Sequence, residues 1–106
     1  MPELPIILNP ASSSGKGARL RSRLEAGLRS RGTPFRILET EAPGHAGELA
    51  VSAVRDGADR IAVMGGDGTI HEVANGLLLE LGAGGLPAIG IIPVGTGNDF
   101  FRMVGA

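Results

Sequence analysis

Four short apolar runs, Pro5 to Leu8, Phe35 to Leu38, Ile61 to Met64 and Ala88 to Ile92, recur along the chain, each bordered by Gly, Pro or Asn. Runs of this length and bordering read as buried strands. The stretches between them are too long for hairpins and carry helical stripes. Leu20, Leu24 and Leu28 recur every fourth residue between Ala18 and Arg31, opposite arginines at 19, 21, 23 and 29, with Gly32 as the stop. Leu49, Ala50, Ala53 and Val54 share one face of a shorter segment from about Ala46 to Asp56, stopped by Gly57. Ile70, Val73, Leu77 and Leu81 make a third stripe, weakened by Asn75 and Gly76, closed at Gly82 and followed by a flexible Gly-rich link to Pro87. The order βαβαβαβ with long crossovers predicts a parallel sheet with helices on both faces, a three-layer α/β/α fold of about four strands. Strand order 2-1-3-4 is favoured because it sets the loops after strands 1 and 3 side by side, with 3-2-1-4 as the alternative.

In such sheets ligands bind beyond the carboxyl ends of the strands. The unusual loops all leave those ends: NPASSSGKG, TEAPGHAG, GGDGT and PVGTGND. Four such loops on one edge predict one site. The segment GGDGTIHEVANG, from Gly65 to Gly76, is the most telling, since it joins a strand to a helix start. Glycines at 65, 66 and 68 are expected to take positive φ and let a ligand approach, while amides and the helix's positive end face an anion. Asp67 inside that cradle repels phosphate unless it holds a metal ion, orients a hydroxyl or takes its proton. Thr69 and Glu72 form T-x-x-E ahead of the apolar stripe, the pattern of a capping box, with catalysis or metal orientation as the other use of Glu72. His71 is expected to be solvated.

PASSSGKGA departs from the P-loop pattern, because Pro10 replaces its first glycine and Gly17 its Ser or Thr, although Lys16 remains a point charge for phosphates. Neither GGDGTI nor GTGNDF completes the dinucleotide fingerprint. Asn98 and Asp99 follow Gly95, Thr96 and Gly97 after the fourth run and reach the same edge as Asp67. Phe100, Phe101, Met103 and Val104 come after the sheet is complete, which suits an edge-capping helix or a surface covered by a further domain.

The 106 residues suffice for one domain. A formal net charge of -1, with 3% aromatic residues and neither Trp nor Tyr, argues against a nucleic-acid partner. The absence of Cys excludes thiolate chemistry and fits a cytoplasmic setting. No run approaches the ~18 apolar residues of a spanning helix, so any membrane contact is expected to be peripheral.

Taken together, ILNPASSSGKG at 7 to 17, Thr40, Gly-His-Ala at 44 to 46, GGDGTIHEVANG at 65 to 76 and IIPVGTGNDFFR at 91 to 102 resemble the catalytic domain of the diacylglycerol kinase family of lipid kinases. That family includes sphingosine kinases and bacterial relatives. NAD kinases share GGDGT and the fold and remain an alternative, as does a non-catalytic nucleotide-binding module. The resemblance implies the Rossmann-like N-terminal half of the NAD kinase/diacylglycerol kinase fold, ATP and Mg2+ as cofactors, and a lipid alcohol at a membrane surface as acceptor. By position it implies a nucleotide site built from Asn9, Ser14, Gly15, Lys16, Gly17, Thr40, Gly65, Gly66, Gly68, Thr69, Gly95, Thr96, Gly97 and Asn98. Asp67 would contact the metal or the hydroxyl, and Glu72, Asn98 and Asp99 would support the acceptor side. Family members continue into a β-rich C-terminal domain, so residues 1–106 are expected to be the nucleotide-binding N-terminal domain, inactive by itself. A homodimer stays open.

Overall fold

The computed structural model describes residues 3–10 and 17–92. Its elements follow the expected order: β1 (Leu4–Leu8), α1 (Gly17–Ser30), β2 (Phe35–Glu39), α2 (His45–Arg55), β3 (Arg60–Met64), α3 (Asp67–Leu81) and β4 (Ala88–Ile92). All strand pairs are parallel, and the order across the sheet is β2-β1-β3-β4. This is the favoured 2-1-3-4 order, with the ends of β1 and β3 adjacent.

Alternation along β1 distributes the core between two layers. Leu4, Ile6 and Leu8 pack with Ala62, Met64 and Ile92 beneath Leu24 and Leu28 of α1. The side chain of Leu20 lies outside the described residues. Ile7, Ile61 and Val63 face the other way, against Ala46, Ala50, Val51 and Ala53 of α2 and Val73 and Leu77 of α3. Every residue of β1 is buried, as a central parallel strand requires. Pro5 within it has no N–H to give to a ladder. Pairing of β1 with β3 begins only at Ile6↔Ala62, so the proline sits where β1 is flanked by β2 alone.

Helices α2 and α3 approach so closely that glycine is needed at their crossing. A Cβ on Gly47 would lie 2.8 Å from the backbone oxygen of Glu72, and one on Gly76 would lie 2.8 Å from the Cα of Gly47. Gly76, which looked like a weak point of the third helix, is therefore the seat of its neighbour. Gly32, Gly57 and Gly82 do take positive φ where they end helices. The link after α3 is not an open tether: Ala83–Gly85 form a 3₁₀ turn. Phe100, Phe101, Met103 and Val104 lie outside the described residues.

Candidate functional site

Parallel pairing brings the loops after β1, β2 and β3 to one edge. The Asn9 N–H donates to the Met64 carbonyl at 3.1 Å, and the Thr40 N–H donates to the Leu8 carbonyl at 2.9 Å. The chain is thus still held by the sheet where each loop departs. The side-chain amide of Asn9 donates through Nδ2 to Thr69 Oγ1 at 3.1 Å, joining the first loop to α3. Thr69 is 4% exposed, the one buried polar residue among those described. Gly65 makes room for it, because a Cβ there would fall 2.7 Å from Thr69 Oγ1.

Two expectations about this turn are corrected. None of Gly65, Gly66 and Gly68 takes positive φ; Gly66 is extended, at φ −87° and ψ −173°, and Gly68 lies inside the helix. The glycines serve space: nothing lies within 4 Å of a Cβ built on Gly66 or Gly68, and Gly65 seats Thr69. Nor is there a capping box. Helix α3 starts at Asp67, three residues earlier than T-x-x-E requires, and among the described residues no side chain caps it. Thr69, now inside the first turn, turns to Asn9. Glu72 turns to another helix, accepting through Oε1 the N–H of Gly44 at 2.7 Å. The Thr69 and Ile70 N–H groups both donate to the Gly66 carbonyl, at 3.1 and 3.2 Å, which leaves the amides of Asp67 and Gly68 at the helix's positive end. Asp67 is exposed at that end and has no hydrogen-bonded partner among the described residues.

The loop after β2 is a compact turn. The His45 N–H donates to the Ala42 carbonyl at 3.1 Å, and the Glu41 N–H donates to His45 Nδ1 at 3.0 Å. With Asn9, Thr69 and Glu72, this turn and Thr40 enclose a cleft of about 350 Å³. A larger groove of about 720 Å³ runs between the outer faces of α2 and α3, but the convergent polar groups sit in the smaller cleft at the sheet edge. The structure thus brings together Asn9, Thr40, Thr69 and Glu72, next to Gly65, Gly66, Asp67 and Gly68. Gly17 opens α1. Ser14, Gly15, Lys16, Gly95, Thr96, Gly97, Asn98 and Asp99 lie outside the described residues. His71 is exposed, as expected. The role of Gly44 was missed: the hallmark Gly-His-Ala marked its place, but its partner lies 28 residues away.

A family profile described as "Diacylglycerol kinase catalytic domain" matches residues 3–106. The chain belongs to the diacylglycerol kinase catalytic-domain family. Among relatives of this kinase-family chain, a "Probable lipid kinase YegS-like" of Xanthomonas euvesicatoria is 38% identical over 96 residues, covering 90% of the chain and 30% of the relative. Another protein of that name, from Enterobacter, is 36% identical over 104 residues, covering 98% and 33%. A crystal structure of a diacylglycerol kinase from Bacillus anthracis superposes with a TM-score of 0.71 at 33% identity, covering 97% of this chain and 36% of that one. The chain therefore spans about a third of the length of these relatives.

Kinase chemistry calls for a divalent cation, and the donor set is suited to one kind. Among the described residues no three His, Cys, Asp or Glu side chains are grouped as a cage. Mg2+ does not need a cage, since it binds through one or two carboxylates together with substrate phosphates and water. Asp67, exposed at the helix start and without a hydrogen-bonded partner among the described residues, is a carboxylate of the kind that description needs. Among the described residues no helix is long and apolar enough to cross a membrane.

Proposed function

We propose that this chain is the nucleotide-binding N-terminal domain of an ATP-dependent lipid kinase that phosphorylates a lipid hydroxyl such as that of diacylglycerol. The observation that carries the reading is the cleft in which Asn9, Thr40, Thr69 and Glu72 converge beside the uncapped start of α3. In this reading phosphates lie on the first-turn amides over Gly66 and Gly68, where no side chain intervenes. Thr40 faces the nucleoside side. Asp67 holds Mg2+ or orients the attacking hydroxyl, and Asp99, with Asn98, would serve the acceptor side, as the family resemblance implies. Bound Mg2+ would neutralise phosphate charge during transfer. The lipid oxygen bonds to the γ-phosphorus, the β–γ bridging bond breaks, and the hydroxyl proton passes to a carboxylate of the site. The chain's own groups bind and align the reactants, which is most of what phosphoryl transfer asks of a protein.

Activity is proposed for a protein of the relatives' length, with a β-rich C-terminal domain supplying further lipid-binding surface, peripheral contact with the membrane and a cytoplasmic location. The test is radiolabelled ATP and Mg2+ with a panel of lipid alcohols, plus NAD as an alternative acceptor, run in parallel on the 106-residue chain and a longer parent protein. Labelled phospholipid from the longer protein only, abolished by Asp67→Asn, is the expected result. Labelled NADP would overturn the lipid assignment. ATP binding without turnover in the longer protein would make this a nucleotide-binding module.

A further inference from the structure

Helix α2 lacks the means to cap itself. Its N-cap, Gly44, has no side chain and sits at φ 86°, ψ −16°. The third residue of the helix, where a capping-box Glu would reach back to the N-cap N–H, is Gly47. That position excludes Glu, because any Cβ there would press within 2.8 Å of the Glu72 backbone oxygen. The missing carboxylate comes instead from α3: Glu72 Oε1 accepts the Gly44 N–H at 2.7 Å, at the positive end of α2. The close crossing that forbids a local cap is the same crossing that brings Glu72 within reach.

We infer that Glu72 is the cap of α2 supplied from α3, and that it acts as a positioning residue for the nucleotide cleft. The turn from Thr40 to Gly44 forms one wall of that cleft and is pinned at both ends, by the Thr40 N–H on Leu8 and by Gly44 on Glu72. Releasing the second pin leaves that end of the wall held only by its own His45–Ala42 and Glu41–His45 bonds, so a larger fraction of molecules leaves the shape that binds and apparent affinity falls accordingly. The cleft's role as a nucleotide site is the reading proposed above; the cap itself is independent of it.

What an acceptor oxygen does, glutamine also does, whereas metal binding or proton transfer needs the carboxylate. The test is residue-resolved hydrogen exchange on the 15N-labelled 106-residue chain, followed by titration with Mg·ATP. In Glu72→Ala, the Gly44 N–H should exchange at least about tenfold faster, while β1 and β3 amides stay protected and show that the fold survives. Mg·ATP affinity should weaken about three- to tenfold. Glu72→Gln should restore both. The proposal is overturned if glutamine is as damaging as alanine, or if Gly44 exchange is unchanged in Glu72→Ala. Absence of any Mg·ATP response in the unsubstituted chain would sink the nucleotide reading and the positioning role, while the exchange comparison still decides the cap.

Discussion

Asn9 and Thr69 are sixty residues apart in sequence, yet their hydrogen bond joins the first loop to the start of α3. The Thr69 hydroxyl is buried, so it needs that partner. Thr69→Val keeps the shape and removes the oxygen, and it should cost about 1 kcal/mol, read from the denaturant midpoint at unchanged slope. Gly68 is the complementary case. Its site is open and already helical, so Gly68→Ala should leave stability unchanged or raise it by roughly 0.5–1 kcal/mol. If phosphates lie over this turn, the same methyl should weaken Mg·ATP binding by calorimetry. A stable variant with undiminished affinity would count against the cradle.

Between elements, the α2–α3 contact is set by two glycines and has no slack. Gly47→Ala should destabilise the chain by about 1–3 kcal/mol, because the new Cβ meets backbone that cannot rotate away. Gly84→Ala, in the 3₁₀ turn with nothing within 4 Å, should stay within about 0.5 kcal/mol in the same thermal or chemical melt. The tie between α1 and β2 is of another kind. Arg21 bridges Glu39 at 3.1 Å and Glu25 at 3.1 Å, and the Glu39 hydrogen bond foremost holds its guanidinium pKa above the ordinary value. The partners remain substantially exposed to water, so Arg21→Ala should cost less than about 1 kcal/mol.

Across the whole molecule the two layers are unequal. Two helices cover one face of the sheet, whereas among the described residues α1 alone covers the other. Leu28→Ala should therefore be severe, about 2–5 kcal/mol, since among the described residues no second helix lies on that face to collapse into the cavity. Strand position should order local stability in the same way. Every residue of β1 is buried and all but Arg60 of β3, whereas Ala88 and Ile89 of β4 are exposed and β2 is at best half-buried. Amide exchange should be slowest in β1 and β3 and faster in β2 and β4; the reverse order would contradict this layering.

The strands and helices were legible in the sequence because their signals are local: apolar runs of four or five residues, stripes at helical spacing, and glycines such as 32, 57 and 82 where left-handed backbone ends a helix. Crossover length then implied parallel pairing, and with it a shared edge for the loops. What Thr69 and Glu72 do was not legible. T-x-x-E describes a helix capping itself, but both side chains found partners from other segments, 60 and 28 residues away. Only the assembled fold could bring those groups within hydrogen-bond distance. The need for glycine at 47 and 76 was hidden for the same reason: local sequence registers the propensity cost of a helical glycine, and only the neighbouring helix shows the contact that offsets it.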